Sequence, residues 1–129
     1  MSYYMRQVNG YFIIKKEKKV QALKDLKEMV KSGNTEIQNY FTRDIMTSNS
    51  LEELLEDGWE CEIDTEGNIV DICFVGKKLN DEDTIFSLLA PYVETDCFIE
   101  MIGEDDSRWR WLFDGTKCIE QIATIVWED

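Results

Sequence analysis

From Trp59 onward, apolar and acidic residues take turns. Trp59, Cys61 and Ile63 fall on one side of the alternation and Glu60, Glu62 and Asp64 on the other, the mark of a strand with one wet face. Thr65-Glu66-Gly67-Asn68 has the composition of a turn, and Val70, Ile72 and Phe74 then alternate with Asp71 and Cys73. The spacing predicts a hairpin over residues 59–76. A similar pattern returns as a three-stranded meander over residues 97–127. Its strands are predicted from Cys97 to Ile102, from Arg108 to Phe113 and from Lys117 to Trp127, joined by turns at 103–107 and at Asp114-Gly115. In the middle strand Trp109, Trp111 and Phe113 share one face, and Arg108, Arg110 and Leu112 share the other. Residues 3–15 also read as strand, interrupted at Asn9-Gly10. Their continuous apolar run, Tyr11 to Ile14, fits a central strand.

Helical spacing appears in three places. Over residues 17–31, Val20, Leu23, Leu26 and Val30 recur on one side, with Ala22 and Met29 widening the stripe and lysines elsewhere. Ser32-Gly33 supplies the stop. Ser50 and Glu53 form a capping box before Leu51, Leu54 and Leu55, and this short helix ends at Gly58. Asn80 or Asp81 caps the third. There Asp81, Glu82 and Asp83 suit the helix N-terminus, Ile85, Leu88, Leu89 and Tyr92 face inward, and Pro91 stops the helix near Ala90. Residues 34–49 are polar and turn-rich and read as a loop with one short strand over 38–46. The order of elements predicts one α+β domain over residues 1–129. It has a mainly antiparallel sheet with two or three helices on one face, like a ferredoxin-like sandwich with an extra C-terminal hairpin.

Composition narrows the chemistry. A chain of 129 residues buries roughly two-thirds of its unfolded surface, so it needs no disulfide or metal to hold its core. Cys61, Cys73, Cys97 and Cys118 form no Cys-x-x-Cys pair and there is no histidine; four free thiols in or near the core are expected, with no metal and no cofactor. Lack of histidine also removes the commonest general base near neutral pH. The opening residues lack a signal-peptide core, and no apolar run approaches the ~18 residues of a membrane helix. A cytoplasmic protein without a membrane partner is the expectation.

Charge is uneven. Residues 1–35 hold eight Lys/Arg and three Asp/Glu, a net of +5; residues 36–129 hold six and twenty-four, a net of −18; together these give −13. Glu60, Glu62, Asp64 and Glu66 of the hairpin, with Glu104, Asp105 and Asp106 of the meander turn, are the candidate contact residues for a basic protein partner. The same acidic turn, with Glu100 nearby, invites a Mg²⁺ or Ca²⁺ site but lacks the ligand spacing of an EF-hand. Lys15, Lys16 and the lysines of the first helix form the one basic patch, open to an anionic partner or simply solvated.

The aromatic-arginine run Arg108-Trp109-Arg110-Trp111 is a second candidate. Aromatics and arginines together stack bases and neutralise phosphates, but strand alternation sends the tryptophans to the core and the arginines outward, where Glu100 and Glu120 can pair with them. With so much negative charge around it, no direct nucleic-acid binding is expected.

The stretch from Ile99 to Phe113, the opening Ser2-Tyr3-Tyr4-Met5-Arg6-Gln7 and the phrase from Asp64 to Asp71 resemble segments of small acidic bacterial and phage proteins of unassigned function. The resemblance implies a cytosolic setting and a mobile-element origin, and it carries over no site. The expected function is non-catalytic: an acidic surface offered to a basic partner, as a phage or mobile-element inhibitor or nucleic-acid mimic. The alternatives are a small-ligand or nucleotide-binding domain with its pocket near the tryptophans, and an enzyme using carboxylates and a divalent ion. The last strand, left as a sheet edge, also invites a homodimer.

Overall fold

The computed structural model describes residues 3–33, 39–77, 79 and 81–128. The first strand, β1 (Met5–Tyr11), is followed by α1 (Lys16–Lys31), α2 (Asn39–Thr47), α3 (Leu51–Leu55) and the hairpin β2 (Trp59–Ile63) and β3 (Ile69–Phe74). Then come α4 (Glu82–Leu89), a 3-10 turn over Ala90–Tyr92, and the meander β4 (Phe98–Gly103), β5 (Arg108–Phe113) and β6 (Cys118–Ile122). The α+β class and the antiparallel pairing follow the sequence pattern. The strand order is β1-β4-β5-β6 in one ladder and β2-β3 in another. With β3 also lying beside β1, the order β2-β3-β1-β4 is that of the expected ferredoxin-like sandwich, and β5 and β6 extend it as the extra C-terminal hairpin.

One side chain helps join the two ladders. Gln7 Nε2 donates to the Ile72 carbonyl (3.1 Å), and the Phe74 N–H donates to Gln7 Oε1 (2.7 Å). The amide thus does for β1 and β3 what a backbone peptide does within a ladder. Backbone bonds complete the seam: Met5 N–H to the Lys77 carbonyl, Leu79 N–H to the Tyr3 carbonyl, and a two-way exchange between Ile14 and Ile69. β1 is therefore central, with β4 on one side and β3 on the other. A bulge at Val8 separates the pairs Gln7–Met101 and Asn9–Glu100. Gly10, read from sequence as a break, lies within the strand. A Cβ there would stand 2.6 Å from Gln7 Nε2, so the glycine leaves room for the bridging amide.

A single core fills one side of this surface. Trp59, Phe86, Trp111, Phe12 and Phe113 meet edge-on or tilted, with ring centroids 5.0–6.4 Å apart. Ala22 and Leu26 of α1, Leu51, Leu54 and Leu55 of α3, and Ile85, Phe86 and Leu89 of α4 close over it. Val20, expected in the α1 stripe, is instead exposed, because the buried face runs through Ala22 and Leu26 with Met29 and Val30 packed beside them.

Two further expectations change. Residues 39–47 are helical rather than loop or strand, and residues 34–38 of that reading lie outside the described residues. Ile45 is buried in the core, the Thr47 and Ser48 hydroxyls bond back to the Arg43 and Asp44 carbonyls, and Lys27 Nζ reaches the Ser48 carbonyl at 2.8 Å. A cation on the last carbonyls is what a helix C-terminus favours. The last strand ends at Ile122 rather than at Trp127, because β5 starts at Arg108 and offers nothing to pair beyond it. At α4, Asp81 occupies the N-cap without a side-chain bond, and Asn80 lies outside the described residues.

Candidate functional site

The far side of the sheet is where the sequence placed its charge. On β5 the alternation holds: Trp109 and Trp111 are buried and Arg108 and Arg110 are exposed. The arginines therefore have no aromatic interleaved with them, and the strand offers no stacking platform. Arg108 Nη1 lies 3.6 Å from Glu100, and Arg110 Nε donates to Gln121 Oε1 at 2.5 Å. Glu120 does not pair with them, contrary to expectation. It stands opposite Trp111 on the inner side, where burial, and then the nearby Asp83 charge, push its carboxyl above the usual range.

Of the tryptophans, Trp109 borders an open pocket of about 400 Å³ with Arg108, Arg110, Gln121 and Ile122, while its ring and those of Trp59 and Trp111 belong to the core. Trp59, Trp109 and Trp111 pack against one another and against Phe86 and Phe74. The indole N–H groups of Trp59 and Trp111 are satisfied by two carboxylates of the first turn of α4, which alternation and spacing did not single out for this. Trp59 Nε1 donates to Glu82 at 3.1 Å, and Trp111 Nε1 donates to Asp83 at 2.7 Å.

The seven acidic candidates are not brought together. Asp64 staples its own turn, accepting from the Glu66 and Asn68 N–H groups and from the Asn68 amide; those bonds hold its carboxyl below the usual range. Glu66 is exposed at the tip of that turn, next to the start of α1, where Asn68 accepts from the Lys16 N–H. Glu104, Asp105 and Asp106 lie at the opposite end of the sheet, beside Tyr3 and Tyr4. Glu104 accepts from the Tyr4 N–H (3.1 Å), and Asp105 accepts from the Tyr3 hydroxyl and the Ser107 N–H. Asp106 takes the left-handed conformation the turn requires, with φ 65°. Two of these three side chains thus tie down the start of the chain. Among the described residues no group of three or more acidic or cysteine side chains is arranged to hold a metal ion.

Glu60 and Glu62 remain as contact candidates, and the structure adds Asp71. Glu60 stands opposite Cys73, and Glu62 directly opposite Asp71, all on the uncovered side of the hairpin. Trp59, Cys61 and Ile72 fill the inner side. Asp71 also accepts from the Ile72 N–H. Two ion pairs are formed among the described residues, Lys19–Glu52 and Arg108–Glu100, and neither touches this group. Its field is felt at Cys73: burial first, then Asp71, Glu60 and Glu62, push the thiol up. Burial does the same at Cys61 and Cys118, both raised to about 12, and at Cys97. All four thiols are free and stay protonated at neutral pH, a poor state for a nucleophile or metal ligand.

Between this acidic end and the arginines, the open side carries an apolar row across four strands: Tyr11, Phe98, Leu112 and Ile119, in register. On the helical side, a groove of about 470 Å³ runs between α1 and the start of α3, lined by Lys16, Lys19, Lys24 and Lys27 with Val20 and Leu23. Lys19 and Lys27 are already engaged, by Glu52 and by the Ser48 carbonyl. No helix among the described residues is long and apolar enough to cross a membrane. Comparison with family models, with curated proteins and with solved structures finds no match to this chain.

Proposed function

We propose that this chain is a non-catalytic interaction protein that offers the uncovered side of its sheet to a basic protein partner, with Glu60, Glu62 and Asp71 as the acidic contact. The observation that supports this reading is the pair Glu62–Asp71. Two carboxylates face each other directly across a two-stranded ladder, with no cation paired to either among the described residues. Such a pair costs the free protein roughly 0.2–1 kcal/mol, and local rules of this kind are broken mainly where function requires it. A lysine or arginine brought by a partner removes the repulsion on binding. The contact is short, so it suits one basic segment better than the length of a nucleic acid, and inhibition of a basic protein is the version of the phage or mobile-element reading it favours.

The test uses a synthetic arginine-rich peptide as probe. Glu62→Lys is expected to weaken peptide binding, and at the same time to raise the urea midpoint of the free protein. Glu104→Lys, at the far end of the sheet, serves as the control and leaves binding unchanged. Added salt lowers the parent's affinity. Equal loss in both variants, or no gain in stability for Glu62→Lys, overturns the reading.

A further inference from the structure

The two outer edges of the sheet are finished differently. β2 carries Glu60 and Glu62 and has a register shift between Glu62 and Ile63, features that blunt an edge against pairing. β6 pairs with β5 in unbroken register, contains no proline or lysine, and has Glu120 as its one charge. Beyond it the chain stays apolar and open: Ile122 is 74% exposed, Ile125 84%, Val126 81% and Trp127 88%. The Ala123 N–H still donates to the Arg108 carbonyl at 3.0 Å. The residues after it run past the start of β5.

We propose that β6 and residues 123–127 pair antiparallel with the same segment of a second copy of this chain, about a two-fold axis at Ile122, so that the sheet continues through the dimer. Backbone geometry restricts the register. Ala123 bonds to Arg108, and the Asp114 N–H donates to the Lys117 carbonyl. Both pairs lie on the β5–β6 register, so the odd-numbered residues 117–123 turn their peptide groups toward β5. Residues 118, 120 and 122 turn theirs outward. An antiparallel partner identical to this strand must then set even residues against even ones.

Side chains select among the registers that remain. A two-fold at Glu120 opposes two carboxylates, and one at Gln121 sets Glu120 against Ile122. A two-fold at Ile122 sets Ile122 on Ile122, Ile119 on Ile125, and Cys118 on Val126. Each exposed aliphatic side chain of the segment then meets an apolar one. Lys117 falls opposite Trp127, a favourable cation–aromatic pairing. The apolar row Tyr11–Phe98–Leu112–Ile119 gains Ile125 of the second copy as its next member. Covering the four open apolar side chains of each copy removes roughly 600 Å² per chain, or about 1,200 Å² for the pair, the lower end of what stable interfaces bury. Self-complementarity in this register points to a second copy as the occupant. The inference does not rest on the acidic contact, and salt separates the two. Each copy carries −13, so screening strengthens the dimer while weakening the capture of a basic peptide.

Sedimentation equilibrium of the full chain tests this. A concentration-dependent dimer that tightens with added salt is expected. Ile122→Lys places like charges on the axis and is expected to raise the dissociation constant on the order of a hundredfold or more. Thr124→Pro, past the last bond to β5, removes an N–H that faces the second copy and weakens the dimer too. Both variants keep the parent's circular dichroism, because neither position is buried. In a Cys73→Ser background, Ile122→Cys crosslinks two chains under an added oxidant and Gln121→Cys does not. A monomer at the highest attainable concentration in high salt overturns the proposal. So does a dimer indifferent to Ile122→Lys and Thr124→Pro, or crosslinking through Gln121→Cys in place of Ile122→Cys.

Discussion

Asp25 accepts from the Tyr92 hydroxyl at 2.5 Å and from the Gln21 amide at 2.7 Å, and these two bonds, the first the larger, hold its carboxyl below the ordinary 3.8. Tyr92 is pushed up to about 12, by burial and then by Asp25. A carboxyl with a depressed pKa adds stability that is present above its unfolded value and lost as pH falls through the folded one. A raised tyrosine adds stability that is complete below the ordinary 10 and lost as pH climbs through about 12. The bond from α1 to the 3-10 turn therefore holds between those limits. Tyr92→Phe is expected to lower the urea midpoint at neutral pH, and its difference from the parent should shrink once pH drops below Asp25's depressed value. A midpoint difference that stays constant down to strong acid would contradict this. Asp64, Asp105 and Asp114 are depressed by bonds of the same kind. Much of the negative charge thus works inside turns and latches, a role that composition does not distinguish from a binding surface.

Among the helices, α3 depends most on its ends, since it has only five residues. Ser50 Oγ accepts from the Glu53 N–H at 3.2 Å, as the capping box predicts, while the Glu53 carboxylate reaches one residue further back, to the Asn49 N–H at 3.3 Å. Ser50→Ala should cost about 1 kcal/mol in urea unfolding; a neutral result would mean that burial of Leu51, Leu54 and Leu55 alone holds the element. This helix, α1 and both hairpins were legible because periodicity, caps and glycine turns agree there. α2 was not. Tyr40, Phe41 and Ile45 favour strands by local propensity, and the helix is fixed from outside, by burial of Ile45 and by the lysine that α1 sends to its last carbonyls. The last strand was overrun for the opposite reason. Ile125, Val126 and Trp127 have strand composition, but within one chain no neighbour is there to pair with them.

At the scale of the molecule, alternation correctly divided arginines from tryptophans on β5, yet it could not say which acidic residues would stand together. That depends on where each turn lands: the β2–β3 turn lies beside Lys16 at one end of the sheet and the β4–β5 turn beside Tyr3 at the other. Nor does any pattern in the sequence announce that Gln7 would span two ladders. Its amide has a mechanical consequence. β4 is zipped to β1 along its whole length, whereas β3 is fastened to β1 by the Gln7 clasp and by backbone bonds near the two ends. Gln7→Ala leaves the Ile72 carbonyl and the Phe74 N–H unmet, at a cost on the order of 2 kcal/mol. Hydrogen exchange should then quicken across β2 and β3 while β4 and β5 keep their protection; uniform quickening of all six strands would show one indivisible sheet instead. The chain is in this sense a hinged booklet, whose acid-bearing leaf can lift while the other stays shut.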